Sequence, residues 1–337
     1  RNNGKPISNV KVELSYFRNN NRSEQTENHT TDLFGKIKIN KSKKRYRNVN
    51  LKVKHGNDVA YFGDYYIYQY YKNQTEKYEY ISGQHGGYYR HDFIDHAYLY
   101  NLYFPPEEIF DRFKNQIHDL VLNYPVAQDV LASLVGKLIN QKPGNIVVGN
   151  GAAELIKIVS GTIAQKIIVP VPSFNEYVNA APKGCTIEFP LEIPSFQLDV
   201  DKFAHEIIKS KADIAVVVTP NNPTSMAVPK FDLIYLAKKL APHDCQLIID
   251  ESFVDFVGEP AQASMEDEIE RYRNIAVFKS MSKAYGICGL RIGYMLTAHQ
   301  KFANDVRNGV HIWNINGFAE EFLRLLPNYK QEFIASC

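Results

Sequence analysis

The chain is poor in sulfur and indole: 337 residues carry 4 cysteines, 4 methionines and a single tryptophan. Cys185, Cys245, Cys288 and Cys337 lie far apart, with no C-x-x-C pair. That spacing argues against a metal cluster or a disulfide framework and fits a reducing compartment. No run of about eighteen apolar residues occurs, as a membrane-crossing helix would need. The opening RNNGKPISNV has neither an apolar signal segment nor an initiating Met, so an earlier segment is expected to have been removed. Neither sign of charge dominates, the net charge being +2. This balance hides an asymmetry. Residues 1–80 hold 16 Lys and Arg against 8 Asp and Glu, and the remainder 23 against 29. Such a split points to two units of different origin.

The first unit has the patterning of strands. Val10, Val12, Leu14 and Tyr16 alternate, as do Ile37 and Ile39, then Val49, Leu51 and Val53. Period-two alternation makes half-buried strands. The intervening FRNNNRSEQTENHT and TDLFGK supply turn residues. The basic cluster KSKKRYR is explained by a solvated surface, and the tyrosine-rich YFGDYYIYQYY by strand packing, so no nucleic-acid partner is expected. These eighty residues resemble the small β-sandwich modules of macroglobulin-like or carboxypeptidase-regulatory-like surface proteins.

From about residue 105 the pattern changes. FPPEEIFDRFKNQIHDLVLNY and QDVLASLVGKLIN have helical spacing. Short apolar runs then alternate with helices: NIVVGNG, KIIVPVPSF, TIEFPLE, DIAVVVTPNNPT, QLIIDESF, NIAVFKSMSK and RIGYMLT. This order predicts an α/β fold with a largely parallel sheet covered on both faces. Binding groups in such sheets lie where strands end.

The strand ends carry a set of groups. In VVGNGAAELIK a glycine turn leads into a helix start, whose free N–H groups suit a phosphate. Gly149 and Gly151 match two glycines of a dinucleotide fingerprint, but Glu154 stands in the place of the third. Phe174, in VPSFNEY, can stack on a flat ring or fill the core. Asn222 can donate to a ligand oxygen or make an Asx turn. Asp250 ends an apolar run, where a carboxylate needs a cation, strong donors or a helix-capping role. FKSMSKAYGICGLRIGYML places Ser280 and Ser282 before Lys283, Gly286 and Gly289 after it, and Arg291 at a forked-pairing offset from a phosphate. A desolvated lysine beside another cation is a nucleophile toward aldehydes. Phosphate cradle, aromatic ring, amide donor, buried carboxylate and activated lysine together match the groups of pyridoxal 5'-phosphate (PLP).

The S-x-S-K-x-x-G-x-x-G-x-R-x-G-Y pattern from Ser280 to Tyr294, preceded by N-N-P-T and D-E-S-F, resembles the class I/II aminotransferases, PLP enzymes of fold type I. The resemblance spans about residues 84–337. It implies that Lys283 forms the Schiff base and later shuttles a proton, and that Asp250 pairs with the ring nitrogen. Asn222 would bond the phenolic oxygen, and Phe174 would stack on the ring. Gly151, Ala152 and Ala153, with Ser280, Ser282 and Arg291, would hold the phosphate. Tyr124, in LNYPVAQ, would reach the phosphate of a neighbouring copy, so a homodimer is expected. HGGYYRHDFIDHAYLYNLYFPP resembles the opening of the histidinol-phosphate aminotransferase and threonine-phosphate decarboxylase branch, which implies substrate contacts from His85, Gly86, Gly87 and Asn101.

Phe253 stands where many members have tyrosine, and Ser225 replaces a common glycine. The expected organisation is a β module over 1–80, an arm and first helix over 81–125, and a cofactor-binding domain over 126–337. A small C-terminal domain, with the arginine for the substrate carboxylate, is expected beyond the last residue. The expected activity is transamination of an amino acid or a phosphorylated amino compound, with an amino donor and a keto acceptor. The alternatives are a decarboxylase, an inactive remnant joined to a binding module, and an NAD-dependent enzyme built on GNGAAE. A cytoplasmic location follows from the second unit, whereas the first alone would suggest export.

Overall fold

The computed structural model describes residues 7–18, 24–33, 35–37, 46–56, 58–67 and 99–337. The chain divides into two compact units, Arg1–Asp95 and His96–Cys337.

In the first unit, β1 (Lys11–Arg18), β2 (Glu24–Thr30), β3 (Tyr46–His55) and β4 (Asp58–Ile67) form an antiparallel sheet in the order β2-β1-β3-β4. Val12, Leu14 and Tyr16 turn inward from β1 while Lys11 and Glu13 face solvent, so the period-two pattern does set the buried face. Ile37 falls outside any strand, and Ile39 lies outside the described residues, so that alternation makes no described element. The described strands form one sheet, without the second layer that a sandwich needs.

The second unit holds β5 (Ile146–Asn150), β6 (Ile167–Val171), β7 (Thr186–Pro190), β8 (Ile214–Val218), β9 (Gln246–Asp250), β10 (Ile275–Ser280) and β11 (Ile292–Leu296). They form one sheet in the order β5-β11-β10-β9-β8-β6-β7. All run parallel except β11, which is antiparallel to both β10 and β5. Side chains of each central strand alternate between two cores. Ala215, Val217, Leu247, Ile249, Ile275 and Val277 pack on one face, and Val216, Val218, Ile248, Ala276 and Phe278 on the other. Helices cover both faces, which is why these strands are continuous apolar runs.

The helix Glu107–Leu122 starts after Pro106, with Glu107 and Glu108 in its first turn, where the helix dipole favours negative charge. Only Ile109 of this helix is fully buried; Ile117, Val121 and Leu122 are exposed. Among the described residues no helix is long and apolar enough to cross a membrane.

Candidate active site

The groups singled out in the sequence converge on one rim of the large sheet. Strand β10 is buried throughout and delivers Lys283 on the short helix Met281–Ala284. The Lys283 Nζ lies 5.1 Å from the ring centre of Phe253 and 6.0 Å from that of Phe174. Burial between these rings lowers the lysine pKa, and the Arg291 charge adds to the effect, against the opposing pull of Asp250. A larger neutral fraction makes the amine a better nucleophile.

Asp250, at the end of β9, is buried and held by two donors. The Tyr177 hydroxyl donates to Oδ2 at 2.8 Å, and the Ser252 N–H to Oδ1 at 3.0 Å. Burial, with the negative charge of Asp250, raises the Tyr177 pKa well above its usual value, so the phenol stays a donor. The carboxylate is thereby fixed, with lone pairs left for a cationic partner.

The glycine-loop side of the site is built by β5 and β11. Gly151 has φ +70°, and a Cβ there would lie 2.2 Å from Nη2 of Arg291, so only glycine lets the guanidinium pack against this loop. The Gly151 N–H donates to the Arg291 carbonyl at 3.0 Å. Arg291 Nη1 donates to Ser282 Oγ and to the Cys288 carbonyl, both at 3.3 Å. Ala152 and Ala153 lead the helix Ala152–Ile158, where no preceding turn offers their N–H groups a carbonyl. Glu154 folds back, its Oε2 accepting from the Asn150 N–H at 2.6 Å and from Asn314 Nδ2 at 2.7 Å. Ser280 and Ser282 are buried on the approach to Lys283, and the Ser280 N–H donates to Ser252 Oγ at 3.1 Å.

Other expected residues have different surroundings. Asn222 is half-buried without a side-chain partner among the described residues, while its neighbour Asn221 is fully engaged. Asn221 Oδ1 accepts from Ser173 Oγ at 2.7 Å, and its Nδ2 donates to the Pro172 carbonyl and to Thr224 Oγ1. Ser225 has φ +61°, the left-handed region in which glycine is at ease. Gly286 has φ +62° and leaves room for the carbonyls of Phe104 and Asn101, whereas Gly289 faces open space. Asn101 is a tie of this turn. Its N–H donates to the Lys283 carbonyl at 2.8 Å, its Oδ1 accepts from the Tyr103 N–H, and its Nδ2 donates to Ser336 Oγ. Tyr124 is exposed and stacks on Trp313, with ring centres 4.1 Å apart. His85, Gly86 and Gly87 lie outside the described residues.

Two features escape a reading of the sequence. Tyr177 follows Phe174 by three residues, one helical turn, in FNEY; that offset was its only signal. Glu251, next to Asp250, points into the opposite face. It is fully buried and accepts from Ser264 Oγ and the Met265 N–H, both at 2.6 Å. Burial, and then the Glu266 charge, push its pKa up to about 7 against the pull of Lys279.

These groups fit PLP: a neutralisable amine, a fixed carboxylate, a flat apolar wall, and an N–H, hydroxyl and guanidinium cradle that a Cβ at 151 would fill. Residues 102–323 match the family described as aminotransferase class I and II. The CMP-5'-(3-aminopropyl)phosphonate synthase of Streptomyces rubellomurinus is 43% identical over 257 residues, which is 76% of this chain and 40% of that protein. The L-serine phosphate decarboxylase of Sulfurospirillum multivorans is 33% identical over 244 residues, 69% of this chain and 62% of that one. The histidinol-phosphate aminotransferase structure from Clostridium acetobutylicum superposes with a TM-score of 0.65 at 26% identity, covering 72% of each chain. The chain thus spans about two fifths to three fifths of the curated relatives' length. The chain belongs to the class I and II aminotransferase family, fold-type-I proteins whose cofactor is PLP.

Proposed function

We propose that the chain binds PLP through Lys283 and removes the carboxylate of an amino acid that also bears a phosphate or phosphonate group. The observation that carries this reading is the Lys283 amine, desolvated between Phe174 and Phe253 and opposed by the doubly held Asp250. The names of two relatives support the substrate class: one is a CMP-5'-(3-aminopropyl)phosphonate synthase, and one an L-serine phosphate decarboxylase. When bound, the cofactor supplies a protonated ring that takes up the electron pair left at Cα as a bond there breaks.

The remaining work falls to the chain. Asp250 keeps the ring nitrogen protonated, and Tyr177 and Ser252 keep Asp250 in place. Arg291, Ser280, Ser282, the turn at Gly151 and the N–H groups of Ala152 and Ala153 hold the cofactor phosphate. Phe174 packs on the ring face, and Asn222 donates to the phenolic oxygen. Lys283 delivers a proton to Cα after the carboxylate has left. Phe253 presents only a phenyl ring near the amine and adds no hydroxyl to Asn222 at the phenolic oxygen. In this reading the active unit is a homodimer in which Tyr124 reaches the second copy's site, residues 81–125 serve as its arm, and residues 126–337 bind the cofactor.

Transamination is the second reading, favoured by the similarity to a histidinol-phosphate aminotransferase. It requires Lys283 to take a proton from Cα. The PLP-loaded chain is incubated with O-phospho-L-serine or with 2-amino-4-phosphonobutyrate, which leaves an aminopropylphosphonate when its carboxylate is lost. Carbon dioxide equal to the amine formed is the expected result. A keto product that depends on an added keto acid, without carbon dioxide, establishes the second reading. PLP binding with neither product identifies an inactive remnant.

A further inference from the structure

Glu154 and Asn314 sit beside the phosphate-binding loop without facing its ligand side. Both donors to Glu154, the Asn150 N–H and Asn314 Nδ2, converge on one carboxylate oxygen, Oε2. Asn314 is itself saturated. Its Nδ2 also donates to the Val148 carbonyl at 3.0 Å, its Oδ1 accepts from Gln128 Nε2 at 2.9 Å, and its carbonyl accepts from Asn150 Nδ2 at 3.0 Å. Gln128 closes the circuit by clasping the Val148 peptide from both sides. Segments 160 residues apart therefore meet at the end of β5 through bonds that each involve a side chain.

Trp313, next to Asn314, has φ +54° and is held face to face with Tyr124, although both rings are exposed. A tryptophan adopts the left-handed region only where its neighbours over-determine the backbone. The bonds made by Asn314 do so.

We propose that Glu154 and Asn314 are positioning residues that hold loop 150–152 in its anion-binding shape and lock it to the Tyr124–Trp313 pair. The proposal rests on the reading of that loop as the cofactor's phosphate cradle. Glu154 acts by geometry: a carboxylate free to turn would repel a phosphate, and here it is turned back and held by two N–H donors. The isosteric amide can accept both bonds on its single oxygen, whereas alanine accepts neither.

The test compares Glu154→Ala, Glu154→Gln and Asn314→Ala with the wild-type chain, reading PLP affinity by equilibrium dialysis and emission of the sole tryptophan. Each alanine variant is expected to weaken PLP binding by at least about tenfold, as loss of a hydrogen bond to a charged group implies. Each should also shift Trp313 emission to the red, and Glu154→Gln should match the wild type in both readouts. Unchanged PLP affinity in Glu154→Ala overturns the proposal. So does a Glu154→Gln variant as weak as Glu154→Ala, or a fall in affinity with unmoved emission. If Glu154→Ala fails to fold, Asn314→Ser carries the same two readouts, because it keeps the backbone link to Asn150. Wild-type chain that binds no PLP removes the cofactor reading and this one with it; wild-type binding with equal binding by the variants removes this one alone.

Discussion

Tyr177 hands its hydroxyl hydrogen to Asp250 across 2.8 Å, at a depth where neither group meets solvent. A carboxylate buried behind apolar β9 would be costly alone. With the phenol on Oδ2 and the Ser252 N–H on Oδ1, it is held in one orientation. Replacing Tyr177 by phenylalanine removes one of these donors without changing the shape. A hydrogen bond to a charged group contributes about 1.5–3 kcal/mol. Tyr177→Phe should therefore lower PLP affinity and turnover by roughly tenfold or more. Dialysis and steady-state kinetics check this; wild-type values for both would deny Tyr177 a part.

Lys283→Ala should remove the visible absorbance of bound PLP and cut turnover by at least about a hundredfold, the low end for loss of a proton-transfer group. Borohydride treatment of the wild type should leave a mass label on the peptide containing Lys283 and on no other. Persistence of colour and turnover in the variant would remove the whole chemical reading.

Glu251 predicts a pH dependence of stability. Its pKa in the folded chain is pushed up to about 7, above the ordinary value of 4.5. Between these values the folded chain holds a proton that the unfolded chain has released, so this group's contribution makes stability fall as pH rises from about 4.5 to 7. The full penalty above that window is of order 3 kcal/mol. Glu251→Gln can donate to Ser264 Oγ and accept from the Met265 N–H, so it should be more stable than wild type at pH 8 and nearly equal at about pH 4, below that window. Urea unfolding at the two pH values measures the difference; equal gaps at both would contradict it.

The glycines after Lys283 should behave unlike each other. An alanine Cβ at 286 would come within 2.0 Å of the Phe104 carbonyl oxygen, on a backbone with φ +62°. Gly286→Ala should cost several times the roughly 1 kcal/mol of the strained backbone alone, and should loosen PLP binding. At Gly289 nothing lies within 4 Å of the added atom, so Gly289→Ala should stay within about 0.5 kcal/mol of wild type. Melting curves of the two variants decide the matter.

The buried strands were legible because a strand covered on both faces has no room for polar residues. Lys283, Asp250, Arg291 and the glycine loop were legible because each stands at a strand end, next to residues whose conformations or charges have few other uses. What stayed hidden depends on partners distant in the chain. Nothing local distinguishes Asn221, which ties Ser173, Pro172 and Thr224 together, from Asn222, which has no such partners. Glu154 stood out as a misplaced negative charge until Asn314 was brought to it by the fold. In the first unit the alternation at Val12, Leu14 and Tyr16 did become a strand, whereas Ile37 did not, since two apolar positions are too few to fix a ladder.

The reversal of β11 has a consequence for how the rim is assembled. Because β11 runs against its neighbours, it begins where β10 and β5 finish, with Gly293 opposite both Ser280 and Gly149. The connection between β10 and β11 therefore carries the amine on the short helix that follows β10 and the guanidinium just before β11 begins, with few residues between them. Shifting the β10–β11 pairing by a single residue would turn every β11 side chain, Ile292 to Leu296, to the opposite face of the sheet.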